Sequence, residues 1–332
     1  MSDPHVAIVG ATGAVGHEFL RVLEERAFPL RSLKLLASER SAGRRLPFRG
    51  EDHVVEALAD DSFRGIDVAF FSAGGGTAKA YARLASDCGA VVIDNSSAFR
   101  LVDGVPLVVP EVNAEAIAGH DGILANPNCS TILLVLALAP LQRRCGLTRV
   151  VVSTYQAASG AGQRAVAELR SATRAVLADE PPPTAAALPQ TLAFNVFPHV
   201  DVFMADGYTR EEDKMLYEVR KILAMPELRV DATCVRVPVE RCHSESVAVE
   251  LERALSPTEA RALFAGAPGV VLQDDPHGND YPMPRAYSGK DPVAVGRVRQ
   301  GRVFEPGLTF WLVGDQLKKG AALNAVQIAE AL

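Results

Sequence analysis

His5-Val6-Ala7-Ile8-Val9-Gly10-Ala11-Thr12-Gly13-Ala14-Val15-Gly16 is a short apolar run, a turn of small residues and the start of a helix. Beyond the turn, Val15, Phe19, Val22 and Leu23 follow at i, i+4, i+7 and i+8, which puts them on one helical face. Strand, glycine turn and helix in this order form the setting of a dinucleotide fingerprint. Small residues let the backbone approach a pyrophosphate held at the helix N-terminus. The spacing is GxxGxxG, and Gly10, Thr12, Gly13, Ala14, Val15 and Gly16 are the candidate cofactor contacts.

The next strand is predicted over Leu33 to Ala37 and runs into Ser38-Glu39-Arg40-Ser41. A carboxylate at this strand end suits the free 2′-hydroxyl of NAD, whereas an arginine accommodates the 2′-phosphate of NADP. Ser38, Arg40 and Ser41 can all donate to a phosphate, so NADP is expected, with NAD left open by Glu39. Further strands are predicted at Val68 to Phe71, Val91 to Asp94, Leu107 to Val109 and Gly122 to Ala125, with helices at Thr77 to Ser86 and Asn113 to Ala118. Such alternation predicts an α/β fold with a mostly parallel, doubly wound sheet. A second glycine turn, Ser72 to Thr77 with Gly75, and Arg100 after the next strand would border the same ligand crevice.

Ala125-Asn126-Pro127-Asn128-Cys129-Ser130-Thr131 leads into the apolar run Ile132 to Leu138. A cysteine at this strand-to-helix junction meets unpaired N–H groups and the positive end of the helix dipole. Both stabilise a thiolate, whose pKa can fall well below the free value of roughly 8.5. The second half of the chain reads as a β-rich α+β unit. Strands are predicted at Arg149 to Tyr155, Val230 to Val239, Val247 to Leu251, near Val270 and at Thr309 to Val313. Helices are predicted at Gln163 to Ala178, Thr209 to Leu223 (opened by a Thr209-x-x-Glu212 capping box) and Pro257 to Phe264. The last helix, after Gly320-Ala321-Ala322, is expected to return to the first domain.

At 332 residues the chain exceeds one ordinary core, so two domains are expected. The net charge of −6 gives no electrostatic reason for a nucleic-acid or membrane partner. Five cysteines without CxxC spacing suit a reducing compartment, and no signal-peptide zones are visible at the start. Cytoplasmic location is the expectation.

The motifs together resemble the aspartate-semialdehyde dehydrogenase family, closer to its Gram-positive-like bacterial branch than to the archaeal or fungal one. They are Gly10 to Gly16, Asn95 to Arg100, Asn126 to Thr131, Tyr155 to Gly162, Arg236 to Val239 with Cys242 to Glu245, and Lys319 to Ala325. The resemblance implies an N-terminal Rossmann-type domain, residues 1–128 rejoined by a C-terminal helix at 316–332. It further implies a catalytic and dimerisation domain, residues 129–315, with a mixed sheet, in a homodimer. The implied reaction is NADPH-dependent reduction of L-aspartyl-4-phosphate to L-aspartate 4-semialdehyde and phosphate. It would serve lysine (through diaminopimelate), threonine, methionine and isoleucine biosynthesis. Carried over by position, Cys129 would be the thioester-forming nucleophile, His243 the general acid/base and Gln156 the group that orients the acyl intermediate. Arg236 would pair with the substrate α-carboxylate and Glu218 with the α-amino group. Arg100, Lys221 and Asn128 would bind phosphate, while Ser159, Gly160, Gln316 and Gly320 would join the cofactor contacts. No metal is implied.

Two departures and two rivals accompany this reading. Glu39 stands where the family has a small residue, and Asp315-Gln316 stands where Asp-Asn is usual. N-acetylglutamyl-phosphate reductases share the scaffold but place glycine before and tyrosine after the nucleophile, unlike Asn128 and Ser130. A cofactor-binding sensor without chemistry would have no need of Cys129 and His243.

Overall fold

The computed structural model describes residues 3–332, and the chain folds as two compact units. The first comprises Met1–Asn128 and Gly320–Leu332, the second Cys129–Lys319. The sequence reading began the returning segment at 316; the compact units divide between Lys319 and Gly320.

In the first unit the strands are β1 (His5–Val9), β2 (Ser32–Ala37), β3 (Arg45–Phe48), β4 (Glu51–Ala57), β5 (Val68–Phe71), β6 (Val91–Asp94) and β7 (Ile123–Ala125). Their order is β3-β4-β2-β1-β5-β6-β7, parallel except for the β3–β4 edge hairpin. Parallel strands need crossovers, and α1 (Ala14–Glu25) and α2 (Gly75–Asp87) supply two of them. α1 sets Phe19, Leu20, Val22 and Leu23 on one face of the sheet, and the C-terminal segment adds Leu323, Val326 and Ile328 to the same core. Ala78, Ala82 and Ala85 of α2 pack on the other face with Phe63 and Phe71. Small alanines let α2 lie close to the strands.

Leu107–Val109 does not form the expected strand, making only a bridge from Leu107 to Ala125. The Asn113 side chain takes the Val109 N–H and donates to the Leu107 carbonyl, so those groups are satisfied without a ladder. The helix expected over Asn113 to Ala118 is a short turn, α3 (Pro110–Asn113), followed by a 3-10 turn over Ala114–Gly119.

The second unit is built on a mixed six-stranded sheet. Its strands are β8 (Leu147–Gln156), β9 (Arg229–Arg236), β10 (His243–Leu251), β11 (Val270–Leu272), β12 (Val293–Gln300) and β13 (Gly307–Gly314), in the order β11-β12-β13-β10-β8-β9. Around it lie α4 (Cys129–Cys145), α5 (Gln163–Leu177), α6 (Arg210–Ile222), α7 (Pro257–Ala265) and α8 (Pro284–Tyr287), and α9 (Leu323–Glu330) follows in the first unit. Buried residues run without a break from Ser130 to Ala139 of α4, as expected of a central helix with no solvent face. The capping box of α6 forms as read: Thr209 Oγ1 accepts the Glu212 N–H and Glu212 accepts the Thr209 N–H. Two expectations change here. β9 stops at Arg236 rather than Val239, and His243, read as lying between strands, is the first residue of β10. No helix among the described residues is long and apolar enough to cross a membrane.

Candidate active site

β7 ends at Ala125, and after the buried Asn126 and Asn128 the chain turns directly into α4 with Cys129 as its first residue. The first amides of a helix have no intrahelical partner, and the dipole favours negative charge beside them. Cys129 is half-buried, whereas Cys145, Cys234 and Cys242 are fully covered.

The polar groups of the second unit gather at one end of its sheet. Gln156 closes β8 and is the register partner of Arg236, which closes β9; His243 begins β10 on the other side of β8. All three are buried. Gln156 Nε2 donates to Ser130 Oγ at 2.7 Å and to Glu211 Oε1 at 3.2 Å. Arg236 Nη1 donates to the Ala157 carbonyl at 2.7 Å, while its Nε is buried without a partner. Burial lowers the Arg236 pKa, opposed by Glu211 and then by Cys129 in its ionised form. Cys129 is therefore near enough to Arg236 to feel its charge.

The Ala157 N–H donates to His243 Nδ1 at 3.1 Å, so the neutral ring carries its hydrogen on Nε2. Nε2 itself is buried without a partner. Burial first, then the positive charge of Arg236, lower the imidazole from its usual 6.5 to about 3. Gly160 lies against this pair. A Cβ there would sit 3.0 Å from Arg236 Nη1 and 3.1 Å from His243 Nε2. Sequence reasoning assigned Gly160 to the cofactor; its neighbours in the second unit are these two side chains.

Glu218 is buried on α6 and Lys221 is half-buried one turn on. Gln316 is also buried, its amide bonded to Ser159 and to the Cys242 backbone. Two acidic residues were given no role in the sequence reading, although Glu245 closes one of its motifs. Glu211 bonds Gln156 and also Lys214, at 2.9 Å. In sequence it is one of three acids in a first helical turn, where acids serve the dipole, and nothing local marks it out. Glu245 follows His243 by two on β10, opposite Thr154 in register, with both carboxyl oxygens buried and unpartnered. Burial raises its pKa well above 4.5.

In the first unit, Gly10 has φ +88°, and a Cβ there would meet the Ser72 carbonyl at 2.5 Å, so only glycine is tolerated. Gly13 is the N-cap of α1 and provides no side-chain cap; Ala14, Val15 and Gly16 follow in the first turn. Uncapped amides behind a glycine turn fit the pyrophosphate of a dinucleotide. Thr12 Oγ1 lies 3.5 Å from Ser41 Oγ. Ser38 and Arg40 are exposed at the end of β2, and Gly75 is the first residue of α2. Arg100 is buried, with Nε and Nη2 donating to the carbonyls of Asn126 (2.9 Å) and Asn95 (2.8 Å). Gly320 begins the returning segment.

Both units match models of the semialdehyde dehydrogenase class. Residues 5–120 match the family model "Semialdehyde dehydrogenase, NAD binding domain", and residues 138–319 match "Semialdehyde dehydrogenase, dimerisation domain". The aspartate-semialdehyde dehydrogenase of Aquifex aeolicus is 56% identical, over 98% of this chain and 97% of its own. The solved aspartate semialdehyde dehydrogenase II of Vibrio cholerae, complexed with ASA, superposes with a TM-score of 0.97. It is 44% identical and is aligned over 100% of this chain and 98% of that one. The Candida albicans enzyme solved with NADP has a TM-score of 0.79 at 25% identity, covering 100% and 98% of the two chains. This chain belongs to the aspartate-semialdehyde dehydrogenase family.

Proposed function

We propose that this protein reduces L-aspartyl-4-phosphate with NADPH to L-aspartate 4-semialdehyde and phosphate, through a thioester on Cys129. The observation that carries the reading is Cys129 at the first turn of α4, within the electrostatic reach of the buried Arg236. The dinucleotide is assigned to residues 1–128 with 316–332, held there by Gly10, Thr12, Gly13, Ala14, Val15, Gly16, Ser38, Arg40, Ser41, Gly75, Gln316 and Gly320, and joined by Ser159 and Gly160. Dimer contacts and the other substrate contacts are assigned to residues 129–315, with Arg100 and Asn128 added from the first unit. When bound, NADPH supplies the hydride.

Each remaining step falls to a side chain. The Cys129 thiolate attacks the acyl carbon, the carbon–oxygen bond to phosphate breaks, and phosphate leaves with the electron pair. Arg100, Lys221 and Asn128 hold that phosphate, and cations there offset its charge. Arg236 takes the α-carboxylate and Glu218 the α-amino group. Gln156, held by Ser130 and Glu211, orients the acyl group. His243 offers the hydrogen on Nε2 to the oxygen that becomes negative once the thioester carbon is reduced. Collapse of that adduct breaks the carbon–sulfur bond, releases the aldehyde and returns the thiolate. Free cysteines at all five positions suit the cytoplasm, where we assign the activity.

The test is phosphate-dependent reduction of NADP by the purified protein with aspartate semialdehyde, beside Cys129→Ala. Turnover that needs phosphate and disappears in the variant is expected. Full activity in the variant would remove the cysteine assignment, and turnover with N-acetylglutamate semialdehyde alone would reassign the substrate.

A further inference from the structure

α6 carries the spacing Glu-x-x-Lys twice, seven residues apart: Glu211 with Lys214, then Glu218 with Lys221. Seven residues are close to two full turns, so Glu211 and Glu218 share a face of the helix, and both are buried. Spacing alone does not separate the two pairs, and the sequence reading gave a role only to the second. Glu211 meets the polar end of the second sheet. Its Oε1 accepts from Gln156 Nε2 at 3.2 Å, and its Oε2 accepts from Lys214 Nζ at 2.9 Å. Lys214 also donates to Asp201 at 2.7 Å. Burial works against the Lys214 charge, but Glu211 and Asp201 outweigh it and raise the Lys214 pKa. An ammonium held this close keeps Glu211 a carboxylate.

A glutamine amide fits the same space in two orientations, with nitrogen and oxygen exchanged. Ser130 Oγ, the other partner of Gln156 at 2.7 Å, does not choose between them, because a hydroxyl both donates and accepts. A carboxylate only accepts, so Glu211 demands the nitrogen. We propose that Glu211 is a positioning residue for Gln156: its carboxylate, braced by Lys214 and Asp201, fixes the orientation of the amide that orients the acyl group. The inference rests on the role proposed above for Gln156. In Glu211→Gln one side-chain oxygen remains for two donors. The charged Lys214 takes it, so the new NH2 faces Gln156 Nε2, and Gln156 must turn over to avoid it. The charge of Glu211 also reaches other groups. Against burial it raises the pKa of Arg236, and against burial and Arg236 it raises that of His243.

The experiment is a double-mutant cycle on the full-length enzyme with Glu211→Gln, Gln156→Ala and the pair, read as phosphate-dependent reduction of NADP with aspartate semialdehyde. Glu211→Gln is expected to lower kcat about 10- to 100-fold, with the KM for both substrates within about twofold of wild type. In the Gln156→Ala background the same substitution should change kcat by less than about twofold, because the group it acts through is gone. A fall that persists in that background would mean that Glu211 acts through Arg236 or His243. Wild-type kcat in Glu211→Gln would mean that Ser130 alone sets the amide. Either result overturns the proposal. So would a raised KM for aspartate semialdehyde with kcat retained, which would make Glu211 the substrate contact in place of Glu218. Glu211→Asp keeps the charge but is one methylene short of Gln156, and it enters the same cycle should the glutamine variant fail to fold. Wild-type kcat in Gln156→Ala would instead remove the orienting role of Gln156, and this inference with it, an outcome read from that variant alone.

Discussion

Gly160 shows how narrowly the candidate chemistry is tuned at single positions. Its missing side chain leaves the space beside His243 Nε2 and Arg236 Nη1, and a methyl would meet Arg236 Nη1 and His243 Cε1 at 3.0 Å and Nε2 at 3.1 Å. Gly160→Ala should therefore lower kcat/KM by about 10- to 100-fold, because contacts this tight push both positioned groups aside. Thermal unfolding should move little, and retained activity would show that the imidazole can be approached from elsewhere. Two buried groups also set opposite pH dependences. His243 is held at about 3 by burial and then by Arg236, so it stays neutral in the fold while the unfolded chain takes up a proton below 6.5. Its contribution to stability is present above that value and is lost as pH falls from there toward 3. Glu245 runs the other way. Burial raises its carboxyl well above 4.5, so its contribution is intact below 4.5 and is lost as pH rises through the folded value. Glu245→Gln keeps the shape and removes the titration. Urea unfolding should find it more stable than wild type at pH 8 and level with it near pH 4; equal stability at both would mean the carboxylate is solvated.

Elements differ in how much they declare locally. α6 depends on its first turn: Glu212 accepts the Thr209 N–H at 2.7 Å and the Cys234 N–H of β9 at 2.9 Å. Thr209→Ala removes a cap and should cost about 1 kcal/mol. Glu212→Ala orphans two buried donors and should cost roughly 2–4 kcal/mol, a difference that urea denaturation would resolve. Equal losses would mean that Glu212 acts only as a cap. The Thr-x-x-Glu signal was legible, but the tie to Cys234 was not, since it spans two elements. The same division runs through the fold. β5 and β6 were read to the residue because strands buried on both faces are continuous apolar runs. The β3–β4 hairpin escaped because β3 is a short edge strand, β4 beside it is mostly charged and exposed, and Arg49, at φ +50°, stands in the turn before Gly50. At the candidate site, the cysteine turn was legible because strand end, small loop and apolar helix are consecutive. The surroundings of Glu211, Glu245 and Asp315 were not, because each draws them from strands or helices distant in sequence.

At the scale of the whole molecule, the decisive feature is that the first unit is completed by the last residues of the chain. Leu323, Val326 and Ile328 pack with Phe19, Leu20 and Leu23, and Arg26 pairs with Glu330 at 2.6 Å. Contacts so distant in sequence carry the entropy cost of closing a long loop. Its polar centre is a chain of amides. Asn324 Nδ2 donates to the Val108 carbonyl at 2.9 Å and to Asn126 Oδ1 at 2.7 Å; Asn126 Nδ2 donates in turn to Asn95 Oδ1 at 2.6 Å. The final helix thereby braces the segment that leads into Asn128. Asn324→Leu keeps the volume but leaves two buried acceptors without that donor, a cost of roughly 2–4 kcal/mol. The loss should be confined by the connectivity. Native-state hydrogen exchange should find protection reduced in β1, β5, β6 and α1 but nearly unchanged in β8, β10 and β13, because the second unit contains none of these bonds. An equal fall in both would mean that the two units open as a single cooperative body, and that the returning segment stabilises the whole chain rather than the sheet it completes.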